Sequence, residues 1–268
     1  MDVSVIIINY NTFDLTCKCI RSVLSRTTGC SFEIIVVDNA STEKDPADFV
    51  KLFPDIKLIE KKVNTGFAKG NNCGLEKANG EYVLLLNSDT ELINNAIFIC
   101  LQSIRKNSRI AAVGCRLTFP DGVVQHNCQR FPSVGYKFFE LLRLQKILPS
   151  KWRGKVLLGY FFDHNAAIFP DWIWGTFFMF KRNLLKLLPG NKLADDFFMY
   201  VEDMQWCMDF RKRGYRIAFE PRAQVIHHMG QSNGNRLPLL EQHSDLFMKR
   251  YYSPWRILLI KKLDRWLL

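Results

Sequence analysis

Three carboxylates in this sequence stand where a folded chain can use them for chemistry. Asp38 ends the apolar run Phe32–Asp38, and Asp89 closes the polar triplet that follows the apolar run 82–86. Asp203 opens a stretch with helical spacing directly after an aromatic segment. A carboxylate at the end of a strand can accept hydrogen bonds from a nucleoside or hold a divalent cation. One beside aromatic side chains can remove a proton from a hydroxyl group.

Each of these residues also has a purely structural interpretation. Asp38 and Asp89 suit turns or helix caps, because Asp side chains hydrogen-bond nearby backbone N–H groups. Glu202 and Asp203 suit the first turn of a helix, where acidic side chains interact favourably with the helix dipole. Taken one at a time, these positions leave both interpretations open.

Two further segments carry polar groups of the right kind. The loop at 64–74 combines glycines, amides and Lys69, so its backbone N–H groups could cradle a phosphate or a base. It has neither the Walker pattern nor regular GxGxxG spacing. His227 follows a late strand, where a lone histidine is often structural. Together with Asp89, however, it would form a mixed nitrogen and oxygen site suited to Mn²⁺ or Mg²⁺.

The elements that must position these residues alternate through residue 118. Strand-length apolar runs recur with helical patterns between them, at Val3–Asn9, Phe32–Asp38, 56–60 and 82–86. This alternation predicts βαβ units and an α/β fold with a mostly parallel sheet. Ligands of such sheets bind outside the carboxyl ends of the strands. We therefore expect Asp38 and Asp89 to lie at one edge of the sheet.

After Cys115 the pattern changes. Asp121-Gly122 is a hairpin signal, a helix is predicted within 132–149, and residues 150–170 are predicted to be irregular. The strand-like stretch 172–181 is broken at Gly175, where the backbone could approach a ligand closely. No repeat or low-complexity linker appears, so residues 119–235 are predicted to form a smaller lobe of the same domain.

Composition indicates an ordinary globular protein, with 48% hydrophobic and 24% charged residues. No apolar run reaches the ~18 residues that span a bilayer, and the N-terminus lacks a basic, apolar leader. These features predict a cytoplasmic protein. The eight cysteines show no CxxC pair, which favours free thiols over a disulfide framework or a zinc site.

The net charge of +11 favours a polyanionic partner, which could be a phosphorylated substrate, an anionic lipid or a nucleic acid. No nucleic-acid-binding signature is present, so we expect no nucleic-acid partner. Basic residues recur near the end of the chain together with Trp255, Leu259, Leu263 and Trp266, which share one helical face that Ile260 and Leu267 widen. The tail 236–268 is therefore predicted to be a basic amphipathic helix. It could bind an anionic membrane surface, or pack on the body or on a second subunit of a homodimer.

In combination the motifs are far more specific than any one of them. Their order along residues 2–235 closely resembles that of the family 2 inverting glycosyltransferases with the GT-A fold, especially the bacterial rhamnosyltransferase-type branch. The matching segments are Ser4–Asn11, Val36–Ser41, Asn64–Ala68 with Asn71, Leu86–Asp89, Trp174-Gly175, Glu202-Asp203 and His227-x-x-Gly230-x-Ser232.

The resemblance implies a GT-A domain over residues 1–235, in which the half 1–118 would bind the nucleotide sugar and the half 119–235 would bind the acceptor and carry the catalytic residues. It implies in addition a role for each matched residue. Asp203 would be the catalytic base with Glu202 beside it, while Asp89 and His227 would hold a divalent cation, Mg²⁺ or Mn²⁺. The nucleotide-sugar site would comprise Asn9, Asn11, Asp38, Asn64, Gly66, Lys69, Asn71, Asn87, Ser88, Asp89, Trp174 and Gly175. Asn87 replaces the first acid of the family's DxD motif, which would leave diphosphate oxygens and water to complete the metal shell.

The resemblance also implies an activity. It predicts transfer of a sugar from a nucleoside diphosphate to a hydroxyl of a growing cell-surface glycan or a polyprenyl-linked acceptor, with dTDP-L-rhamnose favoured over UDP-hexoses. Such an enzyme would work in the cytoplasm, peripherally on the inner membrane. Two alternatives stay open: a sugar nucleotidyltransferase, which would need a basic glycine-rich signature near the first strand, and a catalytically degenerate nucleotide-sugar-binding subunit.

Overall fold

A computed structural model describes residues 1–229 and 236–267. Its strands are β1 Val3–Asn9, β2 Phe32–Asp38, β3 Lys57–Glu60, β4 Tyr82–Asn87, β5 Thr90–Leu92, β6 Ile110–Thr118, β7 Val124–Gln125, β8 Cys128–Gln129, β9 Trp172–Ile173, β10 Phe177–Lys181 and β11 Arg216–His227. Its α-helices are α1 Phe13–Arg26, α2 Asp48–Leu52, α3 Phe67–Lys77, α4 Ala96–Arg105, α5 Val134–Leu141, α6 Ser150–Leu157, α7 Glu202–Lys212, α8 Arg236–Tyr251 and α9 Pro254–Leu267.

The main sheet has the order β3-β2-β1-β4-β10-β6-β11-β5, with β7 paired to β6. Strands β3, β2, β1 and β4 run parallel to one another, which confirms the predicted α/β class. Strand β10 then runs antiparallel between β4 and β6. The sheet is therefore mixed, because a strand from the second half of the chain lies between two strands of the first half.

Both faces of the central strands are buried, which explains their continuous apolar runs. On β4, Leu84 and Leu86 belong to the apolar cluster that includes α1 and α4, while Val83 and Leu85 belong to the cluster on the opposite face with α3 and α7. All four side chains are essentially inaccessible to solvent. A strand buried on both faces has no polar alternation, as expected for the centre of a parallel sheet.

The second half confirms some predictions and corrects one. The predicted hairpin forms, with Leu117 paired to Gln125 across it, and Gly175 separates β9 from β10. The predicted irregular segment 150–170 is wrong in its first part, since α6 occupies Ser150–Leu157. Gly154 lets the backbone at Phe161 pack closely on this helix, because a Cβ at residue 154 would lie 2.5 Å from the carbonyl oxygen of Phe161.

The tail forms two helices, and its apolar residues do not share one environment. Ile260 and Leu263 are buried, whereas Trp255 and Trp266 are more than half exposed. Helix α9 lies on α5, where Lys137 Nζ is 2.8 Å from Asp264 Oδ1. Packing on the body therefore accounts for one side of α9 and leaves both tryptophans in solvent. Within the described residues, no helix combines the length and apolar character needed to cross a membrane.

Candidate active site

The carboxyl ends of β1 and β2 place two predicted residues in direct contact. Asn9 and Asp38 are opposite one another in the parallel register, and Asn9 Nδ2 donates to Asp38 Oδ1 at 2.7 Å. The Ser41 backbone N–H donates to the other carboxylate oxygen of Asp38 at 3.0 Å. Ser41 Oγ in turn accepts from Asn9 Nδ2 and from the Asn11 backbone N–H. The Asp38 side chain is thus buried with its orientation fixed.

A second set of hydrogen bonds closes the loop that leads into α3. Asn39 Nδ2 donates to Asn64 Oδ1 at 2.8 Å, and the Gly66 backbone N–H donates to the same oxygen at 2.9 Å. Gly66 has φ +83°, and a Cβ there would lie 2.2 Å from the carbonyl oxygen of Phe198. The loop can approach the backbone of Phe198 this closely only because residue 66 is glycine.

Two predicted residues on α3 have different surroundings. Asn71 is fully buried and donates from Nδ2 to the Phe67 carbonyl oxygen at 3.0 Å, while its Oδ1 has no hydrogen-bond partner among the described residues. A buried acceptor without a partner is one that a ligand can satisfy. Lys69 is exposed, and no contact among the described residues joins it to the rest of the site.

The triplet after β4 connects these loops to a histidine. Ser88 Oγ lies 2.9 Å from Thr12 Oγ1, which donates to Asn9 Oδ1. Asp89 Oδ1 lies 3.4 Å from His227 Nε2. The structure therefore brings the two predicted metal ligands together. Gly230 and Ser232 of the predicted histidine motif lie outside the described residues.

Gln125, which the sequence did not single out, fixes the tautomer of His227. Gln125 Nε2 donates to the His227 carbonyl oxygen at 2.8 Å, so its Oε1 must be the atom that faces His227 Nδ1 at 2.7 Å. Nδ1 therefore carries a proton, and Nε2 is the nitrogen that faces Asp89. A histidine held by its other nitrogen in this way is typical of metal ligands.

The donor set fits a divalent cation held partly by its substrate. Asp89 and His227 offer one carboxylate oxygen and one imidazole nitrogen, which lie 3.4 Å apart. The described part of the chain holds no group of three or more His, Cys, Asp or Glu side chains arranged around a common point. Two protein ligands suit Mg²⁺ or Mn²⁺, which commonly complete their shells with phosphate oxygens and water.

Asp203 is aimed by two backbone N–H groups. Its Oδ2 accepts from Gly175 at 2.9 Å, and its Oδ1 accepts from Met204 at 2.7 Å. The preceding residues Tyr200 and Val201 have left-handed φ values of 68° and 73°. Such a conformation is strained for a β-branched valine, and strain of this kind concentrates at functional sites.

The two adjacent carboxylates at the start of α7 have different environments. Burial raises the pKa of Asp203, and the N–H donors of Gly175 and Met204 partly oppose that rise. Burial, and next the charge of Asp203, raises the pKa of Glu202 further. Glu202 Oε2 has no hydrogen-bond partner among the described residues. Glu202 is thus the carboxyl that stays protonated longer, while Asp203 is the one able to accept a proton.

Continuous contacts join the two sides of the site. The Asn87 backbone N–H donates to the Thr176 carbonyl oxygen at 3.0 Å, next to the Gly175 N–H that holds Asp203. A Cβ on Gly175 would lie 3.3 Å from the Phe67 ring, directly after Gly66. Trp174 is half-buried beside Gly175. Apart from Lys69, the predicted site residues thus form one connected set.

Three contributors were not predicted as site residues. Asn39 and Thr12 lie inside or beside quoted motifs and bridge the loops. Their position next to predicted site residues was a usable signal. Gln125 lies 102 residues from His227, and only the fold brings them together.

Comparison with known proteins identifies the family of the chain. The model of glycosyl transferase family 2 matches residues 4–186, which is most of the chain. The chain belongs to glycosyl transferase family 2.

Relatives in this family are distant, and the lengths they share with the chain vary. The O-antigen biosynthesis protein RfbC of Myxococcus xanthus is 24% identical over 94% of this chain and 19% of its own length. The N-acetylglucosaminyl-diphospho-decaprenol L-rhamnosyltransferase of Mycobacterium tuberculosis is 22% identical over 87% of this chain and 79% of its own. The chain spans about a quarter or less of the first two curated relatives it matches.

Solved structures support the fold. The mannosyltransferase PcManGT from Pyrobaculum calidifontis, solved in complex with GDP-Man and Mn²⁺, aligns with a TM-score of 0.63 at 20% identity. That alignment covers 99% of this chain and 69% of the other. GalNAc-T7, solved with UDP, GalNAc and Mn²⁺, aligns with a TM-score of 0.60. The family 2 chain thus has the architecture of nucleotide-sugar glycosyltransferases, the GT-A fold implied by the sequence.

Proposed function

We propose that the protein is an inverting glycosyltransferase that moves a sugar from a nucleoside diphosphate to an acceptor hydroxyl. The observation that carries this proposal is the setting of Asp203. This carboxylate has a raised pKa and accepts from the Gly175 N–H, and the next residue, Thr176, accepts from the Asn87 backbone N–H. This setting supports a role for Asp203 as the base, beside the polar turn that would hold the donor diphosphate.

The proposed reaction is a single displacement. Asp203 takes the proton from the acceptor hydroxyl, whose oxygen forms a bond to the anomeric carbon on the face opposite the leaving group. The bond between that carbon and the diphosphate oxygen breaks, and its electron pair leaves with the nucleoside diphosphate. No second carboxylate is required as a nucleophile, and the configuration at the anomeric carbon inverts.

The donor side follows from the loops at the strand ends. Asp38, oriented by Asn9, is proposed to bind the nucleoside, while Asn11, Asn64, Gly66 and Asn71 shape the wall around it. Lys69 would reach the diphosphate from the exposed side of α3, and Asn87 and Ser88 would contact it from the turn after β4. Trp174 and Gly175 would border the transferred sugar. A divalent cation held by Asp89 and His227 would neutralise charge on the leaving diphosphate when bound.

The donor proposed first is dTDP-L-rhamnose, with UDP-hexoses as the alternative. The rhamnosyltransferase of Mycobacterium tuberculosis supports this order, since the chain aligns with most of its length. The acceptor is proposed to be a growing cell-surface glycan or a sugar on a polyprenyl diphosphate. This role places the protein in the cytoplasm, at the inner face of the membrane that carries such acceptors.

Asp203→Asn tests the assignment of the base. The substitution keeps the size of the side chain and an oxygen for the Gly175 N–H, but it removes the proton acceptor. We expect turnover of the donor to fall about 10²- to 10⁴-fold, with binding of the nucleotide sugar nearly unchanged. Release of nucleoside diphosphate measures turnover, and calorimetric titration measures binding.

Asp209→Asn on the same helix is the matched control, because Asp209 accepts from Tyr251 on the far side of α7. It should leave turnover near the wild-type value. Loss of donor binding in Asp203→Asn would instead make Asp203 structural.

A panel of nucleotide sugars screened by thermal shift with Mn²⁺ identifies the donor, since a ligand at 100 times its Kd stabilises by about 2.7 kcal/mol. Binding without any transfer or hydrolysis would favour the degenerate subunit.

A further inference from the structure

We propose that the protein docks on an anionic lipid bilayer through a composite surface formed by residues 134–161 together with helix α9. We call these two segments the docking surface. The inference rests on the proposed function, because docking would serve to bring Asp203 to a lipid-linked acceptor. It extends the predicted membrane contact of the tail to a part of the body.

The docking surface exposes an unusual share of large apolar side chains. Ten of the 24 exposed large hydrophobic residues in the described chain lie in its two segments: Phe138, Leu142, Ile147, Trp152, Val156, Tyr160, Phe161, Trp255, Leu258 and Trp266. Ile147 is 77% exposed and Trp152 is 65% exposed. Helix α5 has no buried residue at all. Exposed apolar surface concentrated in this way marks an interaction site.

The two segments lie against each other. Lys137 on α5 pairs with Asp264 on α9 at 2.8 Å, and the hydroxyl of Tyr136 donates to the carbonyl oxygen of Val156 on α6. A cavity of about 680 Å³ opens between them, lined by Lys137, Glu140, Arg143, Gln145, Lys146, Phe161 and Asp264. The apolar side chains and this cavity therefore belong to one continuous region of the molecule.

The same region carries most of the net charge. Residues 134–161 contain six Lys or Arg and one acid, and residues 254–267 contain four Lys or Arg and one acid. They hold eight of the eleven net positive charges of the whole chain. Arg143, Lys146 and Lys155 are exposed among the apolar side chains. Basic residues near a membrane surface are attracted by anionic headgroups within a Debye length.

The residue types favour a bilayer over a protein partner. Both exposed tryptophans of α9 carry a cation over the ring, with Arg256 5.2 Å from the Trp255 centroid and Lys262 5.4 Å from that of Trp266. Tryptophan beside lysine or arginine suits the headgroup level of a membrane, whereas lysine is depleted at the centre of protein interfaces. Two copies meeting face to face would also oppose two strongly positive surfaces.

The docking surface adjoins the acceptor side of the site. Gly159 lies against the Gln129 side chain at the end of β8, where a Cβ would be 3.2 Å from Oε1. Strand β8 pairs with β9, and β9 leads directly into Trp174 and the Gly175 N–H that holds Asp203. An acceptor in a bilayer under residues 134–161 would thus approach the site from the side that carries the proposed base.

Flotation of the full chain with lipid vesicles tests the proposal. Wild type should bind vesicles that contain phosphatidylglycerol about tenfold or more better than pure phosphatidylcholine, and salt should weaken this binding. The variants Ile147→Ser/Trp152→Ser and Trp255→Ser/Trp266→Ser should each lose about tenfold of the binding. Arg143→Glu/Lys146→Glu should lose binding through charge alone. Val63→Ser/Leu187→Ser, at exposed apolar positions elsewhere, should bind as wild type.

Each variant should retain its melting temperature and its donor hydrolysis in vesicle-free solution, which separates docking from the proposed chemistry. Unchanged binding by Ile147→Ser/Trp152→Ser would overturn the composite surface and leave only the tail. Equal binding to neutral vesicles would overturn the anionic partner. A concentration-dependent dimer that both serine pairs abolish, with no vesicle binding by wild type, would assign the surface to a second copy instead.

Discussion

Glu202 and Asp203 are neighbours in sequence with different chemical capacities. Asp203 receives two backbone N–H donors and keeps part of its surface accessible, whereas Glu202 is buried with one oxygen unpartnered among the described residues. Environments that push two carboxyl groups apart in pKa are the usual way to assign an acid and a base. Burial, and next the charge of Asp203, therefore favour a neutral Glu202 beside it.

Glu202→Gln should change how stability depends on pH. Burial raises the folded-state pKa of Glu202, so the folded chain keeps a proton that the unfolded chain releases above the usual value of 4.5. In the wild type this contribution to stability is lost as the pH rises through the folded pKa. The variant cannot ionise there. The free energy of unfolding of the variant, relative to that of wild type, should therefore increase by at least about 1 kcal/mol between pH 5 and pH 8.

Urea denaturation at several pH values measures this difference. Any fixed cost of the new amide cancels, because only the change with pH is compared. Glu76→Gln, on the exposed side of α3, serves as the control and should show no such trend. Parallel pH curves for Glu202→Gln and wild type would mean that Glu202 is ionised in the folded protein.

Gln125→Leu should weaken the binding of Mn²⁺. Leucine preserves the buried volume near His227, but it removes the acceptor that holds Nδ1 protonated and the donor to the His227 carbonyl. Loss of such an outer partner typically costs about 10- to 100-fold in metal affinity. Titration of Mn²⁺ followed by electron paramagnetic resonance measures it directly, without turnover.

Gln129→Leu is the control for that experiment, since the Gln129 amide donates to the His126 carbonyl and makes no described bond to His227. It should bind Mn²⁺ as wild type does. An affinity in Gln125→Leu within twofold of wild type would show that the orientation of His227 does not matter for the ion.

At the scale of elements, the site depends on how strands end and helices begin. Strands β1, β2 and β4 end in Asn9, Asp38 and Asn87, and the parallel register puts these ends together. The start of α3 is fixed by the tight contact between Gly66 and the backbone of Phe198, which lies in the loop before α7. One glycine therefore couples the proposed nucleotide-binding loop to the loop before the proposed base.

Gly66→Ala should disrupt this coupling. Alanine would be strained at φ +83°, and its Cβ would lie 2.2 Å from the Phe198 carbonyl oxygen, so the loop must move. We expect a loss of about 1–3 kcal/mol in the free energy of unfolding and weaker donor binding. Gly122→Ala is a matched control, because Gly122 has φ +85° but nothing within 4 Å of its Cβ position. Equal losses in both variants would show that the close approach has no effect beyond backbone strain.

At the scale of the whole molecule, β10 makes the two halves of the chain one structure. It pairs with β4 on one side and β6 on the other, so no direct pairing joins β4 to β6. Phe178 and Phe180 on this strand are fully buried and contact the aromatic cluster with Trp206 and Phe210 of α7. The halves named in the sequence analysis therefore share a core, although their assignment to donor and acceptor stays a prediction.

Phe178→Ala should destabilise both halves together. Removing a fully buried phenylalanine costs about 3–5 kcal/mol, and hydrogen exchange should accelerate in β1 and β4 as well as in β6 and β11. Phe138→Ala, at an exposed position on α5, should change neither. Faster exchange confined to β10 and α7 would mean that the first half is stable without β10.

The sequence by itself determined the local elements and the candidate residues. The apolar runs of β1, β2 and β4, the hairpin at Asp121-Gly122 and the break at Gly175 all depend on neighbouring residues, so their patterns are visible in the chain. The polar residues that end those strands could be predicted to meet, because a parallel sheet places carboxyl ends on one edge. Helix α6 was missed because Gly154 and the aromatic residues after it mask its helical spacing.

Only the tertiary structure decided the contacts between distant segments. The insertion of β10 between β4 and β6, the bond from Gln125 to His227 and the packing of α9 on α5 each join residues 66 or more positions apart. No local periodicity encodes such a pairing, since it is selected by how whole surfaces fit and by which buried polar groups find partners. The sequence indicated a candidate base and two candidate metal ligands, but the fold alone supplied the groups that hold them.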